Sequence, residues 1–416
     1  MSRFDVAIVG SGPAGSIAAY VLSRGGASTC LIDPAEFPRD KACGDLVGPR
    51  GVRLLEELGV AVCPAASASD MLLVGPSGHR ARLVWRPGKT YADHAIAVRR
   101  ASLDTALHHA ALDAGSLPTK GRAVSLVGGP ERATGVRLAD GTVVRADFVV
   151  GADGALSSVA SSAGLVDPGR ALWGFALRCY AEHSVEVPAI VCFEPERRRA
   201  FPGYGWVFPN GDGRANLGLG MGTLHDRSGA VELARRLGAF VEGLRKQELL
   251  DGNARLANRR GGWLKMGMTG TTPARGRVLL VGDAAGLVNP LQGEGISQAM
   301  LSGRAAAEAI LSDTHPADRY RRFLSATVAR FQAPSAALHA MTLTRPRALS
   351  AAARALTGPR ISRLVSDPWA LYWNDLIDGA SQGWPRTEAA AISALVAVVT
   401  APTRVRNEVH KALRRR

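Results

Sequence analysis

The chain has 416 residues, enough for roughly two or three domains sharing a large core, and 46% hydrophobic with 21% charged residues is ordinary for a globular protein. Its net charge of +15 suits anionic partners, yet no zinc-finger spacing, RNA-binding aromatic signature or helix-turn-helix pattern stands out, so no nucleic-acid partner is expected. The five cysteines show no CxxC spacing, which argues against a disulfide framework or a zinc site and fits a reducing cytoplasm.

The opening MSRFDVAIVGSG runs into strand residues at once, and no signal peptide is expected in front of it. No run of about 18 uninterrupted apolar residues predicts a spanning helix. Asp5–Val9 reads as a strand. GSGPAG follows, then an alanine-rich helix over Ser16–Arg24 and a second strand, Ser28–Ile32, that ends on Asp33. Gly10, Gly12 and Gly15 have G-x-G-x-x-G spacing in the strand–helix–strand context that a dinucleotide site needs. Gly10 makes the tight turn, Gly12 lets the backbone approach a pyrophosphate, and Gly15 lets helix and strand pack closely. The helix start, with Pro13 and Ala14, offers free N–H groups to phosphates. Asp33 stands where an acid accepts hydrogen bonds from a ribose.

The next stretch, FPRDKACGD, places Arg39, Cys43 and Gly44 in a charged loop. His79–Arg86 alternates, with Ala81, Leu83 and Trp85 on one face, and reads as a hairpin. VRRASLD puts Arg100 just before a helix. In GVRLADGTVVRADFVVGADG, Asp140-Gly141 is a hairpin turn, and the strand Asp147–Gly151 stops at Asp153-Gly154. FPGYGWVFPNGDGRANLGLG carries Tyr204, Trp206 and Phe208 at a spacing of two, which puts them on one face of a strand. Asn216, Gly218 and Gly220 alternate on the strand after it and leave room beneath the rings. In RVLLVGDAAGLVNPLQGEGI the strand Val278–Val281 ends at Gly282-Asp283, and a long helix opens at Gly293, Gly295 and Ile296 after Pro290. Two further strand-end acids suit a ribityl chain better than a nicotinamide cofactor. A helix start aimed at a flavin pyrimidine ring stabilises the anion of reduced flavin.

Residues 331–416 read as helical, punctuated by Pro334, Pro346, Pro359 and Pro368. Trp369, Tyr372 and Trp373 either pack or line a tunnel. Thr387–Ala401 is apolar and RVRNEVHKALRRR follows it. Such a helix either docks on the domain or lies on the inner face of the cell membrane as a peripheral anchor.

GSGPAG with Asp33, GADG and VGDAAGLVNPLQGEGI together resemble the FAD-dependent oxidoreductases of the para-hydroxybenzoate hydroxylase type. The resemblance covers residues 1 to about 330. FPRDKACGD and Tyr204-x-Trp206-x-Phe208-Pro209 resemble the geranylgeranyl reductase branch. It implies an α/β fold: a Rossmann-like FAD-binding domain with an inserted antiparallel-sheet substrate domain and a helical C-terminal region. The expected boundaries are 1–65, 92–165 and 266–330 for the FAD domain, 66–91 and 166–265 for the sheet, and 331–416 for the helices. Arg100 matches that family's arginine near the cofactor. The arginine usual after GADG is missing, since Ser157, Ser158 and Ala160 stand there.

The implied activity is saturation of carbon–carbon double bonds in an isoprenoid chain, with FAD as cofactor. Electrons come from NAD(P)H or another electron donor, because no second G-x-G-x-x-G exists. Cys43, Tyr204 and Trp206 are the candidate catalytic residues. A thiol is mostly protonated at neutral pH and able to donate, whereas Arg39 and Lys41 can make it a thiolate; both readings stay open. The alternative activity on this fold is oxygen-dependent hydroxylation or epoxidation of a hydrophobic or aromatic molecule. Halogenation is disfavoured by the single tryptophan in the aromatic motif.

Overall fold

The computed structural model describes residues 3–182, 189–193, 203–211, 213–224, 230–344, 361–376 and parts of 351–359 and 387–396. The apolar runs form a parallel core. Phe4–Val9 pairs on one side with Thr29–Asp33 and on the other with Val143–Gly151, and Val6 lies opposite Thr29 and Phe148. Val278–Leu280 and Leu117–Lys120 extend this sheet in parallel at either side, within eight strands in all. Central strands covered on both faces need continuous apolar sequence, and Val6, Ala7 and Ile8 are fully buried. The helices Pro13–Arg24, Arg100–Asp113 and Ile296–Ser312 connect and cover these strands.

Strand and helix ends differ from expectation by a few residues. The first helix starts at Pro13, three residues earlier than the alanine run suggests, because Gly12 is the extended N-cap and proline suits the first helical turn. The third strand begins at Val143, directly after the Asp140-Gly141 turn, and pairs antiparallel with Gly135–Leu138. The last strand stops at Leu280, and Gly282–Ala285 forms a short 3-10 turn.

The second sheet has seven strands, in the order Leu256–Met266, Leu172–Glu182, Arg214–Leu224, Gly203–Pro209, Ala189–Cys192, Asp70–Val74, Arg80–Val84. It is antiparallel apart from Ala189–Cys192, which runs parallel to Asp70–Val74. The His79–Arg86 alternation is one strand of a hairpin, and Asp70–Val74 is the other. Its odd positions Ala81, Leu83 and Trp85 are buried, as the alternation requires. A small third sheet, Leu46–Val47, Ala95–Ala97 and Ala66–Ala68, joins the two larger ones.

In the C-terminal region Pro334 and Pro368 do not end helices; they lie inside Arg330–Thr344 and Ile361–Trp373. A π-turn over Ser325–Ala329 leads into the Arg330–Thr344 helix. Tyr372 is fully buried and packs edge-on against Phe331 at 5.2 Å. The side chains of Trp369 and Trp373, most of the Thr387–Ala401 stretch and the whole basic tail lie outside the described residues. Among the described residues no helix is long and apolar enough to cross a membrane.

Candidate active site

A cavity of about 570 Å³ runs between the parallel sheet and the seven-stranded sheet. Gly12, Pro13 and Ala14 line its first wall at the helix start. Gly10 sits behind them with φ of 101°, a conformation that L side chains rarely adopt, and its Cα packs on the backbone of Ala152. Gly15 packs the helix onto the carbonyl of Gly10. The carboxylate of Asp33 accepts from Ser11 N (2.8 Å) and Ala35 N (2.9 Å), so it braces the glycine loop from below. Arg39 lies over that loop, with Asp104 at 3.2 Å and Asp33 at 3.9 Å.

Asp153 and Gly154 line the middle of the cavity with Gly282 and Asp283. The Asp153 carboxylate is engaged by the short helix that follows: Ser158 N donates to it at 2.7 Å, Ser157 Oγ at 2.5 Å and Val159 N at 3.2 Å. Ala160, just after these serines, stands where the resemblance would have placed an arginine. Pro290, Gly293, Gly295 and Ile296 line the next wall, where the long helix begins. Glu294 caps that helix by accepting from Ser297 N at 2.7 Å.

The aromatic strand forms the opposite side. Tyr204, Trp206 and Phe208 share a face, opposite Gly220, Gly218 and Asn216 in register. Trp206 lies over Gly218, where a Cβ would enter its ring, and donates from Nε1 to Asn216 Oδ1 at 3.0 Å. Tyr204 donates its hydroxyl to the carbonyl of Gln292, which ties this strand to the loop before the long helix. Burial raises its phenol pKa, so the hydroxyl stays neutral.

Gly44 lies against that aromatic face, and the Cys43 side chain packs on the apolar cluster that includes Ile17, Val47 and Ile296. A Cβ on Gly44 would sit 2.9 Å from Phe208 Cε2 and 3.4 Å from Trp206 Nε1, so only glycine allows this approach. Arg39 is turned to Asp104 and Asp33, and Lys41 is exposed at the cavity edge. The cation beside the thiol is instead Arg100, which is itself clamped by Asp104 through two hydrogen bonds of 2.7 and 2.8 Å. Burial outweighs this cation and pushes the Cys43 thiol up. Desolvation thus favours the protonated form of Cys43 over the thiolate that Arg100 favours.

Apart from Asn216, the polar residues that complete the site were not anticipated. Asp45, Tyr180, Asn210 and Asn216 form a buried cluster beside Cys43. Lys265, fully buried, donates to the Ala284 carbonyl at 2.7 Å behind Asp283. His339 and Asn374 reach the cavity from the C-terminal helices. A lone arginine or lysine inside an apolar strand, as at Arg178 and Lys265, is the available sequence signal for such burial. Arg178 Nη2 binds both oxygens of Asp40 at 2.6 and 2.7 Å. Among the described residues no group of side chains could hold a metal ion.

Residues 3–176 match the FAD binding domain family model. The menaquinone reductase of Mycobacterium tuberculosis is 34% identical over 336 residues, covering 77% of this chain and 81% of that protein. The digeranylgeranylglycerophospholipid reductase 1 of Methanopyrus kandleri is 31% identical over 332 residues, covering 77% and 84%. A geranylgeranyl bacteriochlorophyll reductase-like structure from Thermoplasma acidophilum superimposes with a TM-score of 0.69 at 21% identity and 98% coverage of both chains. The flavin-dependent brominase Bmp2 superimposes with the same score at 18% identity, which speaks to the fold alone. The cavity suits the cofactor: glycine backbone at a helix start, strand-end acids and a second helix start open onto one continuous space. With its FAD-binding domain and relatives more than 30% identical over most of their length, the chain belongs to the geranylgeranyl reductase family of FAD-dependent oxidoreductases.

Proposed function

We propose that this enzyme saturates carbon–carbon double bonds of an isoprenoid chain. The observation that carries the reading is the contact of the Cys43–Gly44 loop with the Tyr204–Trp206–Phe208 face, inside the cavity that also meets both helix starts. An alkene offers a protein almost nothing to polarise; reduced FAD supplies the hydride. The residues that would hold the cofactor are the Gly10–Gly15 loop and Asp33, Arg39 and Arg100, Asp153-Gly154, Gly282-Asp283, and the stretch from Pro290 to Ile296. Tyr204 and Trp206 form an apolar, flat wall that orients the chain and excludes water. The neutral Cys43 thiol holds a proton at Sγ that can pass to the second alkene carbon.

Two of the relatives are named as reductases of a menaquinone and of a digeranylgeranylglycerophospholipid, and both molecules carry prenyl chains, which supports this substrate class. Electrons arrive from NAD(P)H or from another electron donor. The segment 387–416 anchors the protein on an anionic membrane surface, where such substrates reside. Equal liposome flotation with and without that segment would remove the anchor. The activity itself is tested anaerobically, with dithionite as reductant and a prenyl quinone as substrate. Saturated product without oxygen is expected; product that forms only with oxygen would instead make the enzyme a monooxygenase.

A further inference from the structure

Asp45, two residues beyond Cys43, has no solvent-accessible surface and a φ of 61°. Non-glycine residues rarely occupy that conformation, and such strain persists where surrounding contacts over-determine it. Its Oδ2 accepts from Tyr180 Oη at 2.6 Å, Asn216 Nδ2 at 2.9 Å and Asn210 Nδ2 at 3.2 Å. Its Oδ1 accepts from Arg100 N at 3.2 Å. Its own N–H donates to Cys43 Sγ at 3.4 Å, and its carbonyl accepts from Val98 N at 2.8 Å. Asn216 continues the chain by donating to Cys43 O at 2.8 Å while accepting from Trp206. One carboxylate thus binds the seven-stranded sheet, the start of the Arg100 helix and the cysteine loop together.

The hydrogen-bond donors around this carboxylate are neutral. The nearby guanidinium groups are directed elsewhere: Arg100 to Asp104, Arg178 to Asp40 and Arg99 to Asn210 Oδ1. Burial raises the Asp45 pKa, while the hydrogen bonds from Tyr180, Asn216 and Arg100 N and the charge of Arg178 oppose it, so the ionised carboxylate is held at a cost by the groups around it. We propose that Asp45 is a positioning residue of the reaction, fixing the Cys43 loop between the Arg100 helix start and the aromatic strand, with its carboxylate charge beside the thiol. That the thiol serves alkene reduction rests on the function proposed above; the coupling of Asp45 to the thiol does not.

The charge matters because Arg100 pulls Cys43 towards thiolate while Asp45 and burial oppose it. The other ionisable groups around the thiol are Arg39, Asp40 and Lys41 on its own loop, Arg99 and Asp104 at the helix, and Arg178 and Tyr180 on the sheet. Tyr180 hydrogen-bonds the Asp45 carboxylate, so losing its hydroxyl weakens the same negative charge.

The test is alkylation of the FAD-loaded protein by iodoacetamide in a Cys63→Ser background, from about pH 6 to about pH 10. Cys63 is exposed, whereas Cys30, Cys179 and Cys192 are buried. Asparagine tolerates the left-handed backbone, so Asp45→Asn removes the charge with little added strain. Its alkylation profile should shift down by about one pH unit, with a rate at neutral pH about tenfold higher. Tyr180→Phe should shift it the same way by a smaller amount. In both variants kcat should fall while KM changes little. A profile for folded Asp45→Asn that superimposes on the parent overturns the proposal; if that variant does not fold, a superimposing Tyr180→Phe profile does so. The alkylation readout needs no substrate, so absence of alkene reduction in the parent would refute only the proposed function.

Discussion

Replacing Lys265 by methionine should flatten the alkaline part of the pH–stability curve. Lys265 is 1% exposed, on the strand Leu256–Met266, with its ammonium on the Ala284 carbonyl. Burial lowers its pKa from 10.5 to about 8, although the charges of Asp283 and Asp153 pull the other way. Between these two values the unfolded chain holds a proton that the folded protein has released. The lysine's contribution to stability therefore rises with pH through that window. Below about pH 8 it carries the full cost of the shift, on the order of 3 kcal/mol. The assay is urea unfolding of the FAD-loaded enzyme at several pH values from about 7 to about 10, for wild type and Lys265→Met. Subtracting the curves cancels the tyrosines and cysteines that titrate in the same range. Wild-type stability should gain about 2–3 kcal/mol on the variant across the series. A difference that stays flat would refute the reasoning, because the ammonium would then be as well solvated in the fold as in water.

Three further outcomes are expected. His339 is half-buried and desolvation lowers its pKa to about 4, so the unfolded chain takes up a proton first as pH falls below about 6.5. Its stability contribution is lost between those values, and His339→Leu should show a shallower acid limb in unfolding measured from about pH 7 to about pH 4. Gly44→Ala drives a methyl to 2.9 Å from Phe208 and should cost about 1–3 kcal/mol of overpacking. It should lower kcat/KM for a prenyl substrate about tenfold or more, measured with FAD saturating. Arg178→Met leaves the Asp40 carboxylate with Arg260 at 2.9 Å and Asn258 at 3.2 Å, and urea unfolding should show a loss of about 2–4 kcal/mol.

The nucleotide-binding half was legible because its signals are local. A glycine turn between an apolar strand and a helix is written within about a dozen residues, as at Gly10–Gly15. The aromatic face of Tyr204, Trp206 and Phe208 follows from the two-residue period of a strand and needs no knowledge of the neighbours. Cys43 was visible as a candidate, but its charge was not. Arg39 and Lys41 are adjacent in sequence, yet the cation that meets the thiol is Arg100, brought there by a helix start.

What only the tertiary structure decided is the polar frame around that thiol. Tyr180 and Asn216 reach Asp45 across 135 and 171 residues of chain, and Lys265 is fully buried and His339 half-buried only in the packed molecule. Local propensity says where a strand runs and which way its side chains point. The protonation of a buried group is set by what surrounds it in space, because desolvation and the nearest opposite charge are properties of the packed interior and not of the neighbouring sequence.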